Sequence, residues 1–174
     1  MKWVVVFAVL FSQIPLLCAQ HIRSPYEGTM AAGLFCDDLN AVPILYDVDY
    51  SMHVQPIFNF YGCADCHNGS DGGLNLSTNS GPPILNLLGY QSNVNNRQLI
   101  EPFEPSLSYL LEKVNCDSPQ DGNRMPFGGS SLTTADQAII FDWIYQGALG
   151  EFPPGLWYRE IIHRDNFDAS RVID

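Results

Sequence analysis

The chain has 174 residues, 46% of them hydrophobic and 16% charged, with 19 acidic side chains against 8 basic ones. That is enough to bury one core, too short for two ordinary domains and too apolar for a wholly disordered chain. A formal net charge of −11 argues against a nucleic-acid binder, which needs a basic face to displace counterions from phosphates.

The first element in chain order is an apolar run from Trp3 to Leu17 behind a single Lys2, closed by Cys18 and Ala19. Its length suits the core of a secretory signal and falls short of the roughly 20 residues that span a bilayer. Residues 1–19 are expected to be a signal peptide, with retention as an N-terminal anchor as the alternative, and the mature chain to be periplasmic or secreted. Leu17 before Cys18 fits a lipoprotein signal poorly. Cleavage removes Lys2 and no acid, and no later stretch is long and apolar enough to cross a membrane. Residues 20–46 show no sustained periodicity and read as an irregular N-terminal extension.

One organised domain is expected over 47–149. Val54, Ile57, Phe58 and Tyr61 recur at helical spacing and predict a helix from Val54 to Tyr61, with Pro56 near its start, where a missing N–H is tolerated. It leads straight into Cys63-Ala64-Asp65-Cys66-His67, followed by a Gly-Asn-Ser loop from Asn68 to Ser80. Leu107, Leu110, Leu111 and Val114 predict a second helix beginning near Pro105. Thr134 with Gln137 reads as a capping box opening a final helix, on which Ile140, Trp143, Ile144 and Gly147 share one face and Gly147 suits the end. Residues 150–174, with Pro153-Pro154, read as a C-terminal tail.

Export places Cys36, Cys63, Cys66 and Cys116 in an oxidising compartment, where free thiols rarely persist. Cys63-x-x-Cys66-His67 is the C-x-x-C-H pattern of c-type haem attachment. With two residues between them, both thiols can reach the vinyl groups along one porphyrin edge while the next residue turns its imidazole to the iron. Zinc would need two further soft ligands, and adjacent Cys66 and His67 would struggle to point at one tetrahedral metal. A redox-active dithiol would sit in a βαβ pattern, which the sequence lacks. One covalent haem c is therefore expected, with His67 as proximal ligand. A backbone carbonyl from the Gly81-Pro82-Pro83 turn is the candidate acceptor for its second ring nitrogen. Leu74 and Leu76 read equally as haem-edge contacts or as core.

Met125 is the expected sixth ligand. It lies in the loop Asn123-Arg124-Met125-Pro126-Phe127-Gly128-Gly129, and a soft thioether favours ferrous iron and raises the reduction potential. His163 is the rival, giving a bis-His centre; Met30 and Met52 are poorly placed, and His21 and His53 lack neighbouring thiols. If haem takes Cys63 and Cys66, then Cys36 and Cys116 are left as a disulfide pair or as two separate buried thiols.

The ordered set Val54-Gln55-Pro56-Ile57-Phe58, the haem motif, Gly72-Gly73-Leu74-Asn75-Leu76, Pro105-Ser106-Leu107, Met125-Pro126, Trp143-Ile144 and Gly147-Ala148 resembles a class I c-type cytochrome domain. The pattern is most like the planctomycete type of bacterial exported proteins and covers roughly residues 47–149. The resemblance implies an all-α fold with haem packed between N- and C-terminal helices, thioethers at Cys63 and Cys66, His67 proximal and Met125 distal. The chain departs from the family at Phe127, where a second proline is usual, and near Glu101-Pro102, where a glycine often stands; the Cys36–Cys116 pair is not a family feature. The function expected is an exported monohaem electron carrier rather than an enzyme, its acidic surface steering it to a basic patch on a redox partner. The alternatives are a haem enzyme or gas sensor with an exchangeable sixth ligand, and a haem-bearing docking subunit of a larger exported complex.

Overall fold

The computed structural model describes residues 34–69, 71–78, 84–88, 91–92 and 95–150. The segment expected to be a signal peptide, His21, Met30, the turn expected at 81–83, His163 and residues 151–174 lie outside them. In chain order the elements are β1 (Leu34–Cys36), a π-helical turn (Tyr50–Val54) running into α1 (Gln55–Phe60), α2 (Cys63–Cys66), a 3-10 turn (Asp71–Gly73), α3 (Ile84–Leu87), a second 3-10 turn (Pro105–Leu107), α4 (Tyr109–Asn115), β2 (Cys116–Ser118) and α5 (Thr134–Tyr145).

Helical structure thus starts upstream of the Val54 expected from periodicity. Asp49 caps it, its carboxylate accepting from the Met52 amide at 3.0 Å. The Gln55 amide reaches back to the Tyr50 carbonyl, one residue further than in an α-turn. That wider turn lies immediately before Pro56, whose ring has no N–H to give and crowds an ordinary α-turn.

The core gathers around α5. Ile140, Trp143 and Ile144 are fully buried among Val54, Phe58, Ile84, Leu87, Ile100 and Leu111. The Tyr50 ring lies 5.3 Å from Trp143 and 6.3 Å from Phe58, so the N-terminal helical segment packs on the C-terminal helix. Backbone and side chains stitch the two ends together. Tyr50 N–H donates to the Leu149 carbonyl at 3.1 Å, Trp143 Nε1 to the same carbonyl at 2.7 Å, and Leu45 N–H to the Asp142 carboxylate at 2.8 Å.

Both later helices differ from expectation in instructive ways. Ser108 is extended (ψ 112°) and separates the Pro105–Leu107 turn from α4. Its hydroxyl accepts from the Glu101 amide at 2.8 Å and lies within hydrogen-bonding distance of the Glu101 and Glu104 carbonyls. The break changes the helical phase, so Leu107 is 46% exposed while Leu110, Leu111 and Val114 stay buried. On α5 the N-cap is Thr133 rather than Thr134, its Oγ1 accepting from the Asp136 amide at 3.2 Å. Gln137 is thereby released from the capping role expected of it and is buried. The helix ends in a Schellman turn, with Ala148 N–H donating to the Trp143 carbonyl at 2.8 Å and Gly147 N–H to that of Ile144 at 3.0 Å. Gly147 has φ +101°, and a Cβ there would meet the Phe103 ring at 2.7 Å.

The architecture is helical with one addition that an all-α expectation does not contain. β1 and β2 pair antiparallel, Leu34 opposite Ser118 and Cys36 opposite Cys116, and Cys36 is bonded to Cys116. Strands of three residues are too short to show alternation in a sequence, and the cross-link holds them in place. The segment expected to be an irregular extension therefore contributes a strand, and Leu39 behind it is buried. Among the described residues no helix is long and apolar enough to cross a membrane.

Candidate cofactor site

Gly62 ends the first helical segment and begins the next. It sits at φ +65°, where a Cβ would strike the Asp65 carboxylate at 2.9 Å, so the chain reverses there at a cost only glycine avoids. Cys63–Cys66 then forms a single turn, closed by the His67 amide donating to the Cys63 carbonyl at 2.9 Å. The i, i+3 spacing brings both thiols to one side of that turn. Cys63 is half-buried against the core, whereas Cys66 is exposed and His67 is half-buried at the cap. Cys63 and Cys66 are not bonded to each other.

Burial pushes the Cys63 thiol up to about 11, against a backbone hydrogen bond that lowers it and with Asp65 and Cys66 adding to the rise. A protonated thiol at neutral pH is the reverse of the stabilised thiolate on which redox-active C-x-x-C motifs depend. Among the described residues no group of three or more His, Cys, Asp or Glu converges as a metal ion would require. A zinc site of that kind is therefore not assembled there. A c-type haem asks for something different: its thiols bond to porphyrin carbons and only the imidazole goes to the metal, so the donor set fits that group.

After His67 the chain doubles back. Leu76 N–H donates to the His67 carbonyl at 2.7 Å and Gly69 N–H to the Leu74 carbonyl at 2.9 Å, closing a loop on the backbone of the imidazole residue. Leu74 and Leu76 are members of the hydrophobic core. His53 has its Nδ1 3.0 Å from the Asp49 amide at the start of its own helix. Met52 is 75% exposed on the same turn.

Met125 arrives from a distant part of the chain and is half-buried against the same core as Cys63 and Ala64. Its loop hangs from the end of α4. The Met125 amide donates to the Lys113 carbonyl at 2.7 Å, and the Lys113 ammonium donates to the carbonyls of Asp121 and Asn123. Sequence reasoning missed the group beside it. Arg124 sends one guanidinium nitrogen to Asp37 and another to Asp117, each at 2.5 Å. Asp37 also accepts from Gln137 Nε2 at 2.8 Å, and Gln137 Oε1 accepts from Asn115 Nδ2 at 2.7 Å. Gln137 and Arg124 hold the Asp37 carboxyl below its ordinary value despite partial burial. A signal for this group does exist in the chain: an aspartate directly follows each disulfide cysteine, Cys36-Asp37 and Cys116-Asp117.

No family model, curated protein or solved structure matches the chain. The cytochrome resemblance is therefore carried by the motif residues alone.

Proposed function

We propose that the chain is an exported monohaem c-type cytochrome that passes single electrons between redox partners. The observation that carries this reading is the placement of Cys63, Cys66 and His67 on one turn at the margin of the core that Met125 also borders. In this reading the haem supplies a one-electron couple at its iron. Cys63 and Cys66 would hold it covalently in both oxidation states, and His67 and Met125 would supply the protein ligands to its iron. His67 and Met125 come from separate parts of the chain that border one core, and a site with both ligands bound would favour electron transfer over binding of small molecules. Excess acid on the surface steers the protein toward a basic patch on its partner, at a rate that falls with added salt.

The test is expression in a host equipped to export and attach haem, followed by intact-mass and visible spectroscopy of the mature protein. The expected mass is the chain without residues 1–19 plus one haem, and Cys63→Ala with Cys66→Ala abolishes the addition. A colourless, unmodified product from such cells overturns the proposal. The ferric protein should carry a sulfur-to-iron charge-transfer band that disappears in Met125→Ala; rapid carbon monoxide binding by the ferrous protein would instead support a sensor or enzyme.

A further inference from the structure

Four chain segments meet at the residue preceding Met125. Arg124 lies in the loop, Asp37 follows β1, Asp117 is in β2, and Gln137 on α5 holds Asp37 from behind. The Arg124 side chain is only 15% exposed, and among the described residues its buried Nε has no hydrogen-bond partner. Within them its polar grip is the two carboxylates. Both carboxylates belong to residues adjacent to the cross-linked cysteines, so they sit on backbone that the Cys36–Cys116 bond and the Cys36 to Cys116 pairing keep together. The Asp37 amide donates to the Asn115 carbonyl at 3.2 Å, and Asn115 Nδ2 donates to the Asp37 carbonyl at 3.0 Å. These bonds join the ribbon to the end of α4, from which the Met125 amide itself is held.

We infer that Arg124 is a positioning residue for the Met125 thioether: the cross-linked ribbon grips its guanidinium and so limits how far the ligand loop can swing. This rests on the cytochrome reading given above and goes beyond it, since the axial bond is assigned a support remote from the haem motif. A planar fork suits the task because it spans two carboxylates at once, which an ammonium does less well. Loss of the fork leaves the loop held by Lys113 and by the bonds of Tyr109 and Asn95 to Asp121, four residues before the thioether, and makes the sulfur easier to displace from iron.

The experiment compares the holoprotein with Arg124→Ala and Arg124→Lys by residue-resolved amide hydrogen exchange and by the ferric charge-transfer band. In Arg124→Ala the Met125 amide should exchange at least about tenfold faster, because two charge-assisted bonds that hold the loop are lost. The band should weaken and added imidazole should bind more readily; Arg124→Lys should fall between. Exchange and band both unchanged in a folded Arg124→Ala overturn the inference. Wild-type protein that carries haem but lacks the band refutes Met125 as ligand and this inference with it. A wild-type band that Arg124→Ala leaves untouched refutes the inference alone, with the cytochrome reading intact.

Discussion

Two regions of this molecule are built on cysteine pairs, and they are held in opposite ways. The Cys63–His67 turn is local: its geometry comes from one helical turn, a glycine before it and a loop that closes on it within ten residues. The Cys36–Cys116 region is assembled across a sequence separation of 80, from a strand pair, a buried amide pair and an arginine fork. The first is where the proposed haem would attach, and it contributes little to the core beyond Cys63 and Ala64. The second ties the N-terminal segment, α4, α5 and the Met125 loop to one another. The two thiols and the imidazole thus lie on a short, partly exposed element, while the long-range ties of the fold lie elsewhere.

That contrast can be broken most forcefully at the disulfide. Replacing Cys36 and Cys116 by serine should lower unfolding free energy by about 4.5 kcal/mol, the chain-entropy value for a loop of this size. Replacing Cys63 and Cys66 in protein lacking haem should change it by less than about 1 kcal/mol. Urea unfolding of the two double variants measures both. Equal losses would erase the distinction between the regions.

Gln137→Leu comes next. It removes the buried amide that satisfies Asn115 and Asp37 together, and stranded buried polar partners cost about 1–3 kcal/mol. The thermal midpoint should drop and the Met125 loop loosen, with the Cys63 turn unaffected. On the local side, Gly62→Ala meets a positive φ and the Asp65 carboxylate. It should destabilise by about 1 kcal/mol or somewhat more, and its distinguishing mark is poorer haem loading at unchanged ribbon cross-linking, read by mass spectrometry.

The smallest effect is on pH dependence. Hydrogen bonding from Gln137, with help from Arg124, holds the Asp37 carboxyl below its ordinary value in the folded protein. The unfolded chain therefore binds the proton more readily. Stability from this contact is fully present above the ordinary carboxylate range and is lost as pH falls through that range toward the folded value. In Asp37→Asn the acid limb of the stability profile should flatten slightly; an identical limb removes Asp37 from that role.

Much of the framework was legible in the chain. The apolar periodicity around Trp143 located α5, and Gly147 marked its end, because a helix with one buried face leaves a repeat and an αL stop needs glycine. Other readings went astray where a neighbour outside the local window decided. Thr133 and Thr134 are equivalent as cap formers in isolation, and the choice went to Thr133 in a structure where Gln137 bonds Asp37 and Asn115 across the core. Leu107 looked like part of the α4 stripe until Ser108, bonded to the Glu101 amide, broke the phase.

The sequence by itself determined the spacing of two thiols and an imidazole, since three residues along a turn have a set pitch whatever surrounds them. It also determined which positions are apolar enough to be buried. Only the tertiary structure decided that Asp37, Asn115, Asp117, Arg124 and Gln137 act together. Contacts between such distant positions have no periodic signature; they form because burial of the shared core offsets the entropy of closing long loops, and the polar groups that arrive together must then satisfy one another.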